Sequence, residues 1–365
     1  MFLKQIESFD SNYLRGIAIL TIMLHNYFHI LDGAPGENEF SFSITPTYTY
    51  LHNLLYLPAD FLKQTFSFFG HYAVQVFIFL SGYGLAMRYA KGTRISYFTF
   101  LQERFLKIYP TFFFAVILLF FYKAGISTLF PAKQMDLSSF AYEAFLKLTL
   151  LSNFIPGEAL SISGPWWFFS LLFQLYLVAP LLLLIRKQEH LLTLILVSWT
   201  LQLLILTFYP DSISYLRVNL LGHLPEFILG IYIARASTNI LTPLVLLSAL
   251  GLFIAGSFSP FFWVISFISV PILALAAYTS INPTVYGSLT RLIIFFGKNS
   301  LYFFAVHGLC RAPFVPWGNK SVLWSIIAAI AYLVGVVIIT MLFKFIVLTL
   351  TNWISNKWLT TFSKN

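Results

Sequence analysis

Apolar residues gather along the chain into ten runs, near 14–31, 71–90, 106–122, 166–185, 190–209, 219–235, 240–257, 260–280, 289–307 and 321–350. Each approaches the ~20 residues that a helix needs to cross a ~30 Å hydrocarbon layer. The pattern predicts an all-α polytopic bundle of about ten transmembrane helices, forming a single domain over residues 1–365. No run repeats another, so the inverted-repeat symmetry of many transporters is not visible. Two longer polar intervals, about 32–70 and 123–165, mix aromatic, Pro and acidic residues; partly ordered structure is expected there, since long loops in compact proteins are often functional. Residues 92–107 set Tyr97, Phe98, Phe100 and Leu101 against Arg94, Gln102, Arg104 and Lys107. That reads as a basic amphipathic helix on a membrane surface, either a lipid anchor or a contact for an anionic ligand.

Composition narrows the class. The chain is 59% hydrophobic and 10% charged, with a mean hydropathy of +0.81, against roughly 25% charge in soluble proteins. A soluble enzyme, a secreted disulfide scaffold and a disordered chain are excluded. The single cysteine, Cys310, permits no intrachain disulfide and no thiolate cluster. A net charge of +9 is read first as an orientation signal, so no nucleic-acid partner is expected. With the N-terminus in the cytosol, fourteen Lys and Arg fall inside and seven outside, leaving Lys298 unassigned, which predicts N-in and C-in. The first run follows Glu7 and Asp10 and lacks a small-residue cleavage site, so it is expected to be a retained span.

Polar side chains within the runs carry the functional information, because each is costly at bilayer depth unless it faces protein or water. With a rise of ~1.5 Å per residue, His25 lies ~15 Å and His29 ~21 Å beyond Arg15, in the middle to outer part of the first span. His71, Gln75, Trp166, Gln174, Glu226 and His307 are expected in the same outer half, as a chamber suited to an acceptor. Arg15, Ser81, Tyr83, Arg88, Arg104, Lys107 and the turn carrying Asn299 and Ser300 are expected in the inner half, as a basic mouth. Plainer readings stand beside these: packing for Ser81, Gly82 and Gly84, an interfacial belt for Trp166 and Trp167, a helix-end hydrogen bond for His307 and a buried ion pair for Glu226.

Six segments, in this order and spacing, carry a resemblance: FDSNYLRGIAILTIMLHNYFH at 9–29, VQVFIFLSGYGL at 74–85, FLQERFLKIYP at 100–110, WWFFSLLFQLYLVAPL at 166–181, LPEFILGIYIA at 224–234 and GKNSLYFFAVHG at 297–308. Together they resemble the membrane acyltransferase-3 family, which moves acyl groups onto cell-surface sugars and other acceptors. The resemblance implies about ten helices, an essential Arg and His in the first helix, a cytosolic acyl-CoA donor and an acceptor often reached from the far face. It also implies a multi-pass protein of the cell membrane, the bacterial inner or cytoplasmic membrane being expected. Two departures matter. Family members usually have ten residues between the first-helix Arg and His, where Arg15 and His25 have nine and Asn26 takes the usual place. On an unbroken helix His25 falls about 80° and His29 about 40° short of the Arg15 face, so His25 is favoured, with local unwinding, and His29 competes. Gln174 stands where a Glu is common.

Acyl transfer from a thioester to a hydroxyl needs a base at the attacking oxygen, donors for the developing oxyanion and exclusion of water. His25 or His29 could supply the base, by direct deprotonation or by carrying the acyl group. Arg15, Arg88, Arg104 and Lys107 suit the phosphates of a coenzyme donor. No phosphate loop, G-x-S-x-G elbow or metal-spaced His or Cys cluster is present, so neither a permanently bound cofactor nor a metal is expected. The leading expectation is an O-acyltransferase, acetyl first among its groups, acting on a cell-envelope glycan or a small hydroxylated acceptor. The alternative is a transporter moving an acylated or anionic substrate through the same chamber. The identity of the acceptor and the oligomeric state stay open.

Overall fold

The computed structural model describes residues 6–89, 96–129, 135–236, 240–281, 283 and 287–362. Each apolar run lies on a helix or a bent helix pair, and no strand occurs among the described residues. In chain order the helices are α1 (Ser8–Phe28), α2 (Thr45–Tyr56), α3 (Phe61–Phe69), α4 (Ala73–Tyr89), α5 (Tyr97–Leu129), α6 (Leu137–Leu148), α7 (Trp167–Leu184), α8 (Gln188–Phe208), α9 (Ile213–Arg217), α10 (Leu220–Arg235), α11 (Pro243–Gly256), α12 (Pro260–Ser266), α13 (Ser269–Ile281), α14 (Ser288–Lys298), α15 (Ser300–Cys310), α16 (Val315–Gly318) and α17 (Val322–Phe362).

Five stretches are long and apolar enough to cross a membrane: Pro58–Tyr89, Tyr97–Leu129, Gly164–Leu184, Gln188–Phe208 and Val322–Ile354. Two bent pairs raise the number to seven, α12 with α13 at 52° and α14 with α15 at 83°. The first, sixth and seventh runs, on α1, α10 and α11, fall outside that number. Leu196, Leu204, Leu244, Leu247, Ile330, Ile338, Leu342 and Phe345 are exposed on α8, α11 and α17. Apolar surface on that scale does not persist in water, and the chain is a multi-pass membrane protein.

The expected amphipathic helix at 92–107 is not a separate element. Residues 92–95 lie outside the described residues, and from Tyr97 the chain runs on as one helix through Pro110 to Leu129. Arg104 and Lys107 therefore occupy the early turns of a long span, and Arg94 lies outside the described residues.

Close helix contacts explain several small residues. A Cβ on Gly82 would collide with the Phe227 carbonyl, and one on Gly230 with the Phe79 carbonyl, so α4 and α10 meet backbone to backbone. Gly16 and Gly297 do the same where α1 crosses α14, against the Ile293 and Asn12 carbonyls. Gly84 meets nothing within 4 Å. The packing reading thus holds for Gly82 and not for Gly84. The sharp break between α14 and α15 is held by Asn299, whose Nδ2 donates to Phe295 O (2.8 Å) and whose Oδ1 accepts from Lys344 Nζ (2.8 Å).

The two long intervals are built. The first holds α2 and α3, and the second holds α6, whose N-cap Asp136 accepts from the Ser138 and Ser139 amides. Residues 32–44 have no regular structure, yet they are pinned from distant parts of the chain. Asp32 N donates to Asn319 Oδ1 (3.0 Å), Gln64 Nε2 to Gly33 O (3.2 Å) and Trp263 Nε1 to Asn38 O (2.7 Å), while Asn38 and Ser43 exchange two further bonds. Gly36 turns this segment with φ +84, a conformation that favours glycine, immediately before Glu37.

Candidate active site

α1 is regular throughout. A capping box, with Glu7 as N-cap and Asp10 at the third position, starts it, and no unwinding separates Arg15 from His25. The expectation of a local unwinding is therefore overturned. Its premise, that Arg15 and His25 must share one face, fails because different neighbours surround α1 at the two levels.

At the His25 level, α1, the 32–44 segment, the turn into α4, residues 160–167 and the α15 end line a cavity of about 220 Å³. His25 is buried; its Nε2 lies 2.7 Å from Glu37 Oε2, and its Nδ1 lies 3.0 Å from the Phe66 carbonyl. A carbonyl only accepts, so Nδ1 carries the hydrogen and Nε2 is the nitrogen that can bind or release a proton. At 2.7 Å, Nε2 and the carboxyl oxygen must have a cation between them or a proton on one of them. His29 Nε2 stands 3.6 Å from Glu37 Oε1, and His71 Nδ1 stands 3.9 Å from Oε2. The i, i+4 spacing puts His25 and His29 on one face of α1, with ring centroids 5.3 Å apart. His25, His29 and His71, expected in one outer chamber, stand around a carboxylate, Glu37, that the sequence reading did not single out.

Burial alone would raise the Glu37 carboxyl, but the imidazoles, His25 foremost, hold it below the usual carboxylate range. Glu39, two residues on, lines the same cavity, and burial and then Glu37 push it well above that range while Arg217 opposes. Arg311 closes another side. Its Nη1 donates to the backbone and side-chain oxygens of Asn26 (3.1 and 3.2 Å), and burial lowers its guanidinium. Trp167 and Phe304 supply apolar walls.

A second polar cluster adjoins the first, since Glu39 and His71 both feel the charge of Arg217. Arg217 is buried over the Phe267 ring at 3.6 Å. Burial brings its guanidinium down to about 10, against the pull of Glu226 and Glu39. His223 Nε2 lies 2.7 Å from Arg217 O and its Nδ1 3.3 Å from Gln75 Oε1. Glu226 is buried with Arg217 as its main charge partner, and its Oε2 has no hydrogen-bond partner.

Other expected chamber residues are elsewhere. Trp166 is 0% exposed and donates to Ala305 O (3.0 Å); it is an interior strut and not a belt residue. Gln174 bridges Asn219 Oδ1 (2.8 Å) and Leu220 N (2.9 Å). His307 Nδ1 meets the Phe303 and Phe304 carbonyls of its own helix, the helix-end bond of the plainer reading. None of these three lines the cavity.

At the Arg15 level the structure brings four basic residues together. Lys107 feels the charges of Arg104, Arg15 and Arg88. Arg88 and Arg104 both approach Glu103 Oε2, at 2.9 and 3.7 Å. Arg104 is buried, packs over Phe100 and Tyr176, and leaves its Nε without a partner. Tyr176 on α7, absent from the sequence expectation, is hydrogen-bonded to Ser81 and lies near Arg15 and Arg104. Ser81 also donates to Phe77 O (2.8 Å). Tyr83 is committed elsewhere, its hydroxyl accepting from Ile6 N at 2.9 Å. Asn299 holds the helix break described above, and Ser300 opens α15.

The residues that sequence reasoning missed are Glu37, Glu39, Arg311, Arg217 and Tyr176. The only signal for the first two was acidic residues in an otherwise aromatic and Pro-bearing interval. Neither curated proteins nor solved structures gave a match. Comparison with protein families matches residues 9–348 to the acyltransferase domain of Acyl_transf_3. That match spans nearly the whole of a multi-pass chain, and the protein belongs to the acyltransferase-3 family of membrane acyltransferases.

Proposed function

We propose that this protein is an O-acyltransferase that takes an acyl group from acyl-CoA on the cytosolic side and passes it to a hydroxyl of a cell-envelope glycan or small acceptor. The single observation behind this reading is the His25–Glu37 contact of 2.7 Å at a cavity, with Phe66 O fixing the tautomer. Once the proton shared by His25 Nε2 and Glu37 has left, the acceptor hydroxyl gives its proton to the freed Nε2, and the adjacent Glu37 carboxylate stabilises the imidazolium that forms. The Arg311 guanidinium faces the same cavity and is a donor for the developing oxyanion. A volume of about 220 Å³ lies below the ~300–1,000 Å³ of sites that enclose whole ligands. It suits an acetyl group with the reacting end of an acceptor. Arg15, Arg88, Arg104 and Lys107 bind the coenzyme phosphates, with Tyr176 and Ser81 at the boundary between the two levels. The setting is the bacterial inner membrane, with the basic level inside.

Replacing Glu37 by Gln keeps the shape and removes the charge, so transfer from labelled acetyl-CoA should fall by ~10²-fold or more. An unchanged rate in folded Glu37→Gln would remove the carboxylate from the chemistry. The two bent helix pairs are the one feature that favours the transport reading, in which substrate moves through the bundle without bond exchange. Protein that moves an acylated substrate across vesicles but forms no acylated product would support it.

A further inference from the structure

The cavity around Glu37 holds more nitrogen ligands than a base requires. Besides His25, the imidazoles of His29 and His71 stand 3.6 and 3.9 Å from the same carboxylate. His71 is 2% exposed, and neither of its ring nitrogens has a hydrogen-bond partner. His29 Nδ1 is also unmet. Glu37 Oε2, despite its closeness to His25, has no partner in hydrogen-bond geometry. Buried polar atoms are rarely left in this state, and two of them, His71 Nδ1 and Glu37 Oε2, stand 3.9 Å apart, with room for a ligand between them. The ligand atoms of His25, Glu37 and His71 all lie within 4.8 Å of one another. Linear spacing hid this group because its members come from α1, the 32–44 segment and the turn before α4.

We propose that this pocket binds one divalent transition-metal ion of the zinc class, through His25 Nε2, the Glu37 carboxylate and His71, with water in the fourth position of a tetrahedral ion. Imidazole nitrogen and carboxylate oxygen suit Zn²⁺, at bond lengths of ~2.0–2.2 Å that put two ligands of one tetrahedral ion roughly 3.3 Å apart. The observed separations from Glu37, 2.7 Å for His25 and 3.9 Å for His71, lie on both sides of that value. The His25 ring already has the outer support that metal-bound histidines use, an Nδ1–H to a backbone carbonyl, which turns the Nε2 lone pair inward. Metal binding replaces a proton on the His25–Glu37 pair and releases it to solvent. Ligation stands independently of the acyl-transfer reading. One consequence rests on that reading: the Nε2 lone pair cannot hold a metal and take a hydroxyl proton at once, so Zn²⁺ should inhibit transfer.

The test uses the full-length protein in detergent, with Zn²⁺ as probe and binding read by equilibrium dialysis with metal analysis. One ion per chain is expected. Its affinity should fall more than ~10-fold in His71→Ala and in Glu37→Gln, and should not change in His52→Ala, whose imidazole is exposed on α2. Co²⁺ gives a second readout that needs no variant: the wild-type protein should show the visible absorption of a four-coordinate ion, abolished by Zn²⁺. No saturable binding, equal affinity in His71→Ala, or a Co²⁺ spectrum like that of the free aqueous ion would overturn the site. Loss of activity with Zn²⁺ and its recovery with a chelator are expected. Full activity of Zn²⁺-loaded protein would keep the metal site and remove His25 as the base, so the two readings fail separately.

Discussion

Gly70 offers a way to move His25 without touching its chemistry. It sits in the turn between α3 and α4 with φ −67 and ψ −26, a conformation that alanine adopts freely, so the backbone raises no objection to Gly70→Ala. The added Cβ would overlap the His25 Cβ and would stand 3.0 Å from Cγ and 3.2 Å from Cα. Carbon atoms in ordinary contact are ~3.5–4.0 Å apart, so α1 or the turn must shift by on the order of 1 Å. These atoms belong to the root of the His25 side chain and its backbone, and a rotamer change cannot relieve them. Overpacking of this kind costs ~1–3 kcal/mol, which a folded membrane bundle can survive. A ~1 Å displacement of a reacting group can lower a rate by ~10²-fold, because it opens both the 2.7 Å contact to Glu37 and the 3.0 Å contact to Phe66 O. The assay is single-turnover acyl transfer by purified protein, with monodispersity and thermal stability measured alongside. Gly84→Ala, which meets nothing within 4 Å, is the control and should transfer at the parental rate. A monodisperse Gly70→Ala protein with parental transfer would refute the dependence of the reaction on the His25 position.

Arg104→Ala and Arg15→Ala should weaken binding of labelled acyl-CoA by ~10-fold or more, as each removes a charge-assisted partner for phosphate; unchanged binding in both would take the donor away from this level. Lys147 is fully buried and donates to the Glu158 and Ala159 carbonyls, and burial lowers its ammonium to about 8 despite the opposing pull of Glu158 and Glu143. Its folded pKa lies below the unfolded one, so between about pH 8 and 10.5 the unfolded chain binds more protons and stability should rise with pH, by on the order of 3 kcal/mol in all. Melting temperatures at pH 7.5 and 9.5 would check this, and Lys147→Met should flatten the rise; an equal rise in that variant would place its origin elsewhere. In intact cells, an impermeant thiol reagent should modify a cysteine placed at the exposed Leu57 and spare one at the exposed Gln102, following the Lys and Arg asymmetry; the reverse labelling would invert the orientation.

The helices were legible because lipid-facing residues need only be apolar, and a run of ~20 such residues is visible without knowing its neighbours. The polar level of each histidine on α1 was legible for the same reason, since depth along a helix is a matter of counting. What stayed hidden depends on chain that has no period. Glu37 reaches His25 through an irregular segment fixed by Asn319, Gln64 and Trp263, contacts up to 287 residues away. Trp166 looked like a belt residue because aromatic residues at a span end often are, whereas here the 3₁₀ turn Gly164–Trp166 carries it inward onto α15. The facing argument for Arg15 and His25 treated α1 as if one wall served its whole length. In fact His25 meets the α3 end through Phe66, and Arg15 lies by Tyr176 of α7.

The proposed role of His25 as the base of an acyl transfer is tested by the transfer rates of His25→Ala, His29→Ala and the double variant in purified protein with labelled acetyl-CoA. His25 has Nε2 at 2.7 Å from Glu37 and a fixed tautomer, while His29 stands at 3.6 Å and is one-third exposed. His25→Ala should lose ~10²- to 10⁴-fold, the range for a lost general base, and His29→Ala should lose far less. Undiminished transfer by the double variant would contradict the account.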